Sequence, residues 1–331
     1  MKVFLTGACG FIGSNLVEFL VKKNFKVVAY TYYNSENSIG LLKFLNPNIL
    51  RKVKIICGDI RDFKRTKDSM KGCDSVINLA ALIGIPYSYY SPQSYIDTNI
   101  TGTYNILEAS KTLGLKKIIL TSTSEVYGTA KYIPIDERHQ LNPQSPYAAS
   151  KVGSDALGMS YYSSYNLPIT ILRPFNTFGP MQSLRAVIPT IITQFINYNG
   201  SLKIGNINTI RDLTYIEDTC SAFYLALKSN NKNLHGQIIN LGIGKGIKIK
   251  NIISCIQRIY KKKITIICEK KRFRPDQSEV MRLISSNLKA KQILKWKPKF
   301  ANKTAFIIGI TKTIEWFKRN KRKYLIDRYV I

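Results

Sequence analysis

Lys2-Val3-Phe4-Leu5-Thr6-Gly7-Ala8-Cys9-Gly10-Phe11-Ile12-Gly13 sets a short apolar run before three glycines at three-residue intervals, and an amphipathic stretch follows to about Lys23. The run reads as a buried strand and the stretch after it as a helix. Glycines between the two let the backbone turn tightly and approach a pyrophosphate, which the helix's free amide groups and dipole then hold. The spacing is one residue wider at its start than the usual dinucleotide fingerprint, so the placement between strand and helix carries the reading. Gly7, Gly10, Phe11, Ile12 and Gly13 are the expected phosphate-side contacts.

Further strands are expected at Lys26–Tyr30, Lys54–Cys57, Val76–Ala81 with its exit, Ile118–Leu120 and Ile169–Arg173, with helical patterns between them. Strand and helix in alternation predict an α/β fold built on a Rossmann-like, doubly wound parallel sheet. Residues 1–174 read as the dinucleotide-binding domain. Residues 175–331 read mainly as a smaller α/β substrate lobe, with short strands at Leu202–Ile204, Gln237–Leu241 and Ile264–Ile267 and some return of the chain to the sheet.

The strand ends supply the remaining cofactor candidates. Thr31, Asn34 and Ser35 stand where an NAD-binding chain usually offers an acidic residue to the ribose; Glu36 comes late, no arginine is present, and NAD and NADP both remain open. Asp59 either caps the following helix or, with Ile60, meets the adenine. Leu79, Ala80 and Ala81 are small or apolar where a backbone would approach the cofactor. Asn99, Thr121 and Pro174 complete the expected contacts. The segment Leu82–Ser91 is rich in Tyr and Ser, suited to a sugar and base, and reads as a loop; Ser91-Pro92 reads as a Ser cap opening a long helix to Leu113.

Two stretches carry the chemistry: Thr121-Ser122-Thr123-Ser124-Glu125-Val126-Tyr127 and Tyr147-Ala148-Ala149-Ser150-Lys151. Ser145-Pro146 opens a helix that puts Tyr147 and Lys151 on one face. An ammonium beside a phenol, with a nicotinamide's positive charge, favours the phenolate, so Tyr147 is expected to take a proton near neutral pH. Glu125 is a further base that a simple alcohol dehydrogenase would not need.

Composition narrows the classes. The 331 residues are 45% hydrophobic, and no stretch is long enough to span a bilayer. Met1–Thr6 run straight into a strand and a glycine turn, which reads as no signal peptide and a cytoplasmic protein. Six scattered cysteines without Cys-x-x-Cys, and two histidines, predict reduced thiols and no metal. The net charge of +30 is spread along the chain rather than gathered in a stripe, which argues against nucleic acid; the positive field would in any case attract an anionic ligand. The run Lys318–Lys323 reads as a solvated helix end.

Together these motifs resemble the extended short-chain dehydrogenase/reductase family over essentially the whole chain. Within it, Thr123-Ser124-Glu125 with Tyr147 and Lys151 resembles the nucleotide-sugar 4,6-dehydratases. The segments at 33–35, 85–88, 122–129, 173–176 and 186–190 are similar to those of the legionaminic acid pathway dehydratases, which act on GDP- or UDP-linked N-acetylglucosamine. The resemblance implies a tightly bound NAD or NADP, and substrate contacts from Ser88, Thr123, Asn176, Val187, Arg211 and Arg274. It implies that Tyr147, with Lys151 and Thr123, removes the 4-hydroxyl proton during C4 oxidation. Glucose-type dehydratases carry an aspartate acid where this chain has Ser124; GDP-mannose dehydratases show a similar Thr-Ser-Glu, so Glu125 is expected to serve as base and then as acid. Ser124 stays among the catalytic candidates, with its share in proton transfer open. A UDP-glucuronate decarboxylase, a 4-epimerase and a non-catalytic nucleotide-binding scaffold are the alternatives. As in relatives, a homodimer through Ser91–Leu113 and Pro146–Asn166 is expected, with no nucleic-acid or membrane partner.

Overall fold

The computed structural model describes residues 1–198, 200–273 and 275–321. Its strands are β1 (Lys2–Thr6), β2 (Lys26–Thr31), β3 (Val53–Cys57), β4 (Ser75–Asn78), β5 (Lys117–Thr121), β6 (Ile169–Pro174), β7 (Asn176–Phe178), β8 (Ser201–Ile204), β9 (Ile210–Tyr215), β10 (Gln237–Leu241), β11 (Gly246–Lys248), β12 (Thr265–Cys268) and β13 (Arg282–Leu283). Seven of them form one sheet in the order β10-β6-β5-β4-β1-β2-β3, and every pairing in it is parallel. The expected doubly wound α/β architecture is therefore present, and strand order reverses between β1 and β4, where such sheets bind ligands.

Burial on both faces explains the near-continuous apolar strands. Val3 and Leu5 pack with Leu16 and Val17 of the helix Phe11–Lys22, whereas Phe4 packs with Ile106 and Leu107 on the opposite face. This alternation is the period of two expected of a strand. Beyond β6 the chain builds a second, smaller sheet around β9, with β11 antiparallel to it and β7 and β13 parallel. β12 pairs with β8, while β10 returns to the main sheet beside β6.

Helix Pro146–Tyr165 begins as read: Ser145 accepts from the Ala148 N–H at 3.1 Å, with Pro146 at the first position. Two other expectations need correction. Residues Ile85–Tyr90 are helical rather than a loop, because Pro86 sits in the first turn and Ile85 buries itself against Tyr95 and Tyr147. The stretch from Pro92 to Leu113 is not one regular helix: a π-helical turn, Ile96–Thr101, interrupts it. Nor does Ser91 cap it, since the Ser91 hydroxyl pairs with Ser94 Oγ at 2.7 Å. A π-turn answers to tertiary contacts around Asn99, which local sequence does not carry.

Gly7 sits at φ +63°, and a Cβ there would lie 2.7 Å from Ala80 N. The β1 turn thus approaches the β4 exit more closely than any side chain permits. Replacing Gly7 with Ala should lower the unfolding free energy by about 1–3 kcal/mol or more from backbone strain alone, measured by denaturant titration; an unchanged midpoint would contradict this packing.

Candidate active site

The site forms at the carboxyl edge of the main sheet. Thr6 Oγ1 accepts from the N–H groups of Leu79 and Ala80, both at 3.1 Å, and donates to Asn78 Oδ1 at 2.6 Å, folding the β4 exit and Ala81 beside the glycine turn. Gly10 precedes helix Phe11–Lys22 with no side-chain cap, leaving first-turn amides uncommitted, and Phe11 and Ile12 are half-buried. A Cβ at Gly13 would lie 2.1 Å from Gly7 O, so the turn admits only backbone. An uncapped helix start on a turn closed to side chains fits a dinucleotide pyrophosphate. Thr121 Oγ1, buried at the end of β5 without a hydrogen-bond partner among the described residues, is a further acceptor or donor at this edge.

Past β2 the geometry differs from expectation. Thr31 is buried and its hydroxyl turns toward β3, to Ile56 O at 3.5 Å and Cys57 Sγ at 3.4 Å, because the residue still belongs to the strand. Asn34 closes its own loop on Ser38, accepting from the Ser38 N–H at 2.8 Å and donating to its carbonyl at 2.9 Å. That closure brings Glu36 back beside Asn34 and Ser35 in a cavity of about 460 Å³ that Cys9 and Gly40 also line. Glu36 is a candidate the sequence reading passed over; loop closure, rather than distance along the chain, decides its place.

Asp59 does not cap the next helix, since Asp62 does, accepting from the Arg65 N–H at 2.9 Å. Asp59 instead pairs with Arg61 and lines a second cavity, about 470 Å³, with Asp62, Asp97 and Thr101. Burial pushes its carboxyl up, but the Arg61 hydrogen bonds outweigh this and leave it below the usual range. Ile60 turns inward onto Gly102.

The reactive cluster follows β5. Thr123 starts the turn Ser124–Tyr127, its hydroxyl accepting from the Glu125 N–H at 3.2 Å. The Thr123 side chain and the Glu125 charge both act on the Tyr147 phenol, the first lowering its pKa and the second raising it. Thr123 thereby links the carboxylate-bearing turn to the tyrosine, with Ser124 buried between. Lys151 Nζ donates to Thr121 O at 2.6 Å.

Without a bound nicotinamide, burial opposes the phenolate. Desolvation raises the Tyr147 pKa; the Thr123 hydrogen bond lowers it, and Glu125, Tyr95 and Asp155 raise it further. Desolvation lowers the Lys151 pKa, opposed by Asp155. In the ligand-free protein the tyrosine is therefore a phenol at neutral pH.

Other candidates are placed as follows. Ser88 is 0% exposed and its hydroxyl donates to Ile85 O at 2.7 Å. Asn99 is likewise 0% exposed. Its amide donates to Leu82 O at 3.0 Å and Ser150 Oγ at 2.9 Å and accepts from the Leu82 N–H at 2.9 Å, and so positions the β4 exit segment. Pro174 ends β6 buried, and Asn176 Oδ1 is buried without a partner among the described residues. Val187 opens the helix Val187–Ile196. Arg211, on β9, faces Glu279 at 3.5 Å. Arg274 lies outside the described residues, as do the last two residues of the run 318–323.

Three polar residues with no sequence signal bridge separate segments of the chain. Ser278 Oγ meets Tyr89 Oη at 2.5 Å and donates to Gln144 O at 2.8 Å, and Gln144 Nε2 donates to Gln277 O at 2.8 Å. They join the Tyr-rich segment, the approach to Tyr147 and the smaller lobe.

Among the described residues no group of His, Cys, Asp and Glu is arranged to hold a metal ion, and no helix is long and apolar enough to cross a membrane.

A family model described as GDP-mannose 4,6 dehydratase matches residues 4–306. A UDP-glucuronate 4-epimerase from Thermodesulfobacterium geofontis is 34% identical over 324 residues, 96% of each chain. A dTDP-D-glucose 4,6-dehydratase from Dictyostelium discoideum is 34% identical over 260 residues, 73% of this chain and 58% of that protein. Among solved structures, UDP-glucuronic acid 4-epimerase from Bacillus cereus, in complex with UDP-glucuronic acid and NAD, superposes with a TM-score of 0.85 at 29% identity, covering 98% of this chain and 100% of that one.

Alkaline difference spectra of wild type against Tyr147→Phe report the protonation state of this side chain. The ligand-free protein should show no Tyr147 phenolate at neutral pH; a phenolate band there would contradict it.

Proposed function

Because the chain belongs to the GDP-mannose 4,6 dehydratase family, we propose that it is a nucleotide-sugar 4,6-dehydratase that converts GDP- or UDP-N-acetylglucosamine to the 4-keto-6-deoxy sugar. The observation that carries this reading is Glu125: its turn is tied by Thr123 to Tyr147, and its charge reaches the phenol. A second acid–base group beside the oxidising tyrosine has work in elimination and none in simple redox exchange. The motif resemblance to legionaminic acid pathway enzymes supports the N-acetylglucosamine substrate and a role in glycan synthesis.

The cofactor is NAD in this reading. Glu36 beside Asn34 and Ser35 offers a carboxylate to ribose hydroxyls and repels a 2′-phosphate, and the Bacillus cereus neighbour holds NAD. When bound, the nicotinamide supplies reversible two-electron oxidation, taking hydrogen from C4 and returning it at C6. Its positive charge offsets the desolvation that keeps Tyr147 protonated. Thr123 and Tyr147 receive the 4-hydroxyl proton, with the Lys151 ammonium stabilising the phenolate. The C4 ketone acidifies C5; Glu125 takes the C5 proton and delivers it to the 6-hydroxyl, which leaves as water while the C5–C6 double bond forms, and C5 then takes a proton from solvent as the hydride returns to C6, the 4-hydroxyl proton held at Tyr147 passing to solvent. Asn176, Val187 and Arg211, with Arg274, hold the nucleotide-sugar; the Arg211 guanidinium suits a diphosphate. Residues 1–174 serve the dinucleotide and 175–331 mainly the substrate, apart from the return of β10 to the main sheet. A homodimer is part of the proposal: Tyr104 and Tyr165 are exposed on the two helices expected to pair.

A second reading, 4-epimerisation, is favoured by the likeness to UDP-glucuronate 4-epimerase, but it leaves Glu125 without a task. Replacing Glu125 with Gln separates the two. The variant should still reduce its nicotinamide when given substrate and should lose product formation by roughly 10²–10⁴-fold, the usual worth of a general acid–base group. Turnover at the wild-type rate would refute the assignment.

A further inference from the structure

Behind the Thr123–Glu125 turn lies a buried ion pair that the proposed chemistry does not use. Asp155 and Arg173 are 4% and 1% exposed; Asp155 Oδ2 receives Arg173 Nη2 at 2.8 Å and Nε at 3.0 Å. The same carboxylate oxygen accepts from Ser122 Oγ at 2.7 Å. The guanidinium in turn donates through Nη1 to Tyr127 Oη at 2.9 Å and lies 5.0 Å from the centroid of that ring. Tyr127 Oη donates onward to Asn240 Oδ1 at 2.7 Å, on β10. Ser122 and Tyr127 are the two residues that bracket Thr123, Ser124, Glu125 and Val126. One ion pair thus holds both ends of the reactive turn, Asp155 from the helix that bears Tyr147 and Lys151, Arg173 from the neighbouring strand β6.

A desolvated pair with further hydrogen bonds at each end is rigid, because moving either member strands a charge in a low-dielectric interior. Resting on the reading that Thr123 and Tyr147 serve oxidation and Glu125 serves elimination, we propose that Asp155 and Arg173 are positioning residues with two separable arms. The Ser122 arm sets Thr123 against the Tyr147 phenol. The Tyr127 arm, two residues from Glu125, sets the carboxylate over C5. Each arm therefore governs a different step of one reaction.

Substituting Asp155 or Arg173 itself endangers the fold, so the test uses Ser122→Ala and Tyr127→Phe, which each remove one hydroxyl and leave the ion pair intact. With UDP- and GDP-N-acetylglucosamine as probes, nicotinamide reduction is followed by absorbance and elimination by solvent deuterium entering C5. A misplacement of about 1 Å costs on the order of 100-fold. Ser122→Ala should slow nicotinamide reduction by that factor. Tyr127→Phe should leave reduction close to wild type, slow elimination by that factor, and let reduced cofactor accumulate. Hydrogen exchange should quicken in the 124–127 peptide of Tyr127→Phe with or without substrate. Equal losses in both steps for both variants, or no loss in either, would overturn the inference. Wild-type protein that reduces its nicotinamide yet eliminates no water would overturn the dehydration reading instead; the Ser122→Ala reduction rate and the loop exchange still decide this one.

Discussion

Parallel strands end together. With all seven strands of the main sheet running one way, the chain has no choice but to release every following segment on the same edge, and the glycine turn, the β4 exit and the Thr121–Tyr127 turn meet there. Gly7 makes the meeting close, since its turn lies within side-chain distance of Ala80 backbone. Thr6 then stitches that approach with three hydrogen bonds. The site is thus a consequence of strand direction, and the side chains placed on that edge decide its chemistry.

Burial governs what those side chains do. It pushes Tyr147 up and Lys151 down, away from the charged pair that proton transfer requires. Asp155 opposes the effect on Lys151, and Thr123 opposes it on Tyr147. In the proposed reaction a cationic nicotinamide would supply the remainder. At longer range the +30 formal charge favours approach of the doubly anionic diphosphate of a nucleotide-sugar.

Whatever local pattern determines was readable from the chain: buried strands, glycines between β1 and its helix, the Ser145-Pro146 cap, the Thr123-Ser124-Glu125 and Tyr147–Lys151 stretches. What tertiary contact determines was not. Asp59 and Asp62 are equivalent as caps in sequence, and only the fold shows that Asp62 reaches the Arg65 amide. Ser88 and Asn99 are polar residues in the right neighbourhood whose hydrogen bonds turn out to be spent internally. Glu36 stands late along the chain, yet the Asn34–Ser38 closure carries it to the cavity. The ion pair under the reactive turn joins residues eighteen apart, a relation no periodicity reports.

The central claim is that C4 oxidation serves an elimination across C5 and C6. It is tested most directly by incubating the protein with UDP- and GDP-N-acetylglucosamine in heavy water and recording product NMR spectra. Dehydration should give deuterium at C5 together with a new 6-methyl signal from one of the two nucleotides. A product that keeps its 6-hydroxymethyl group and its protium at C5, inverted only at C4, would contradict it.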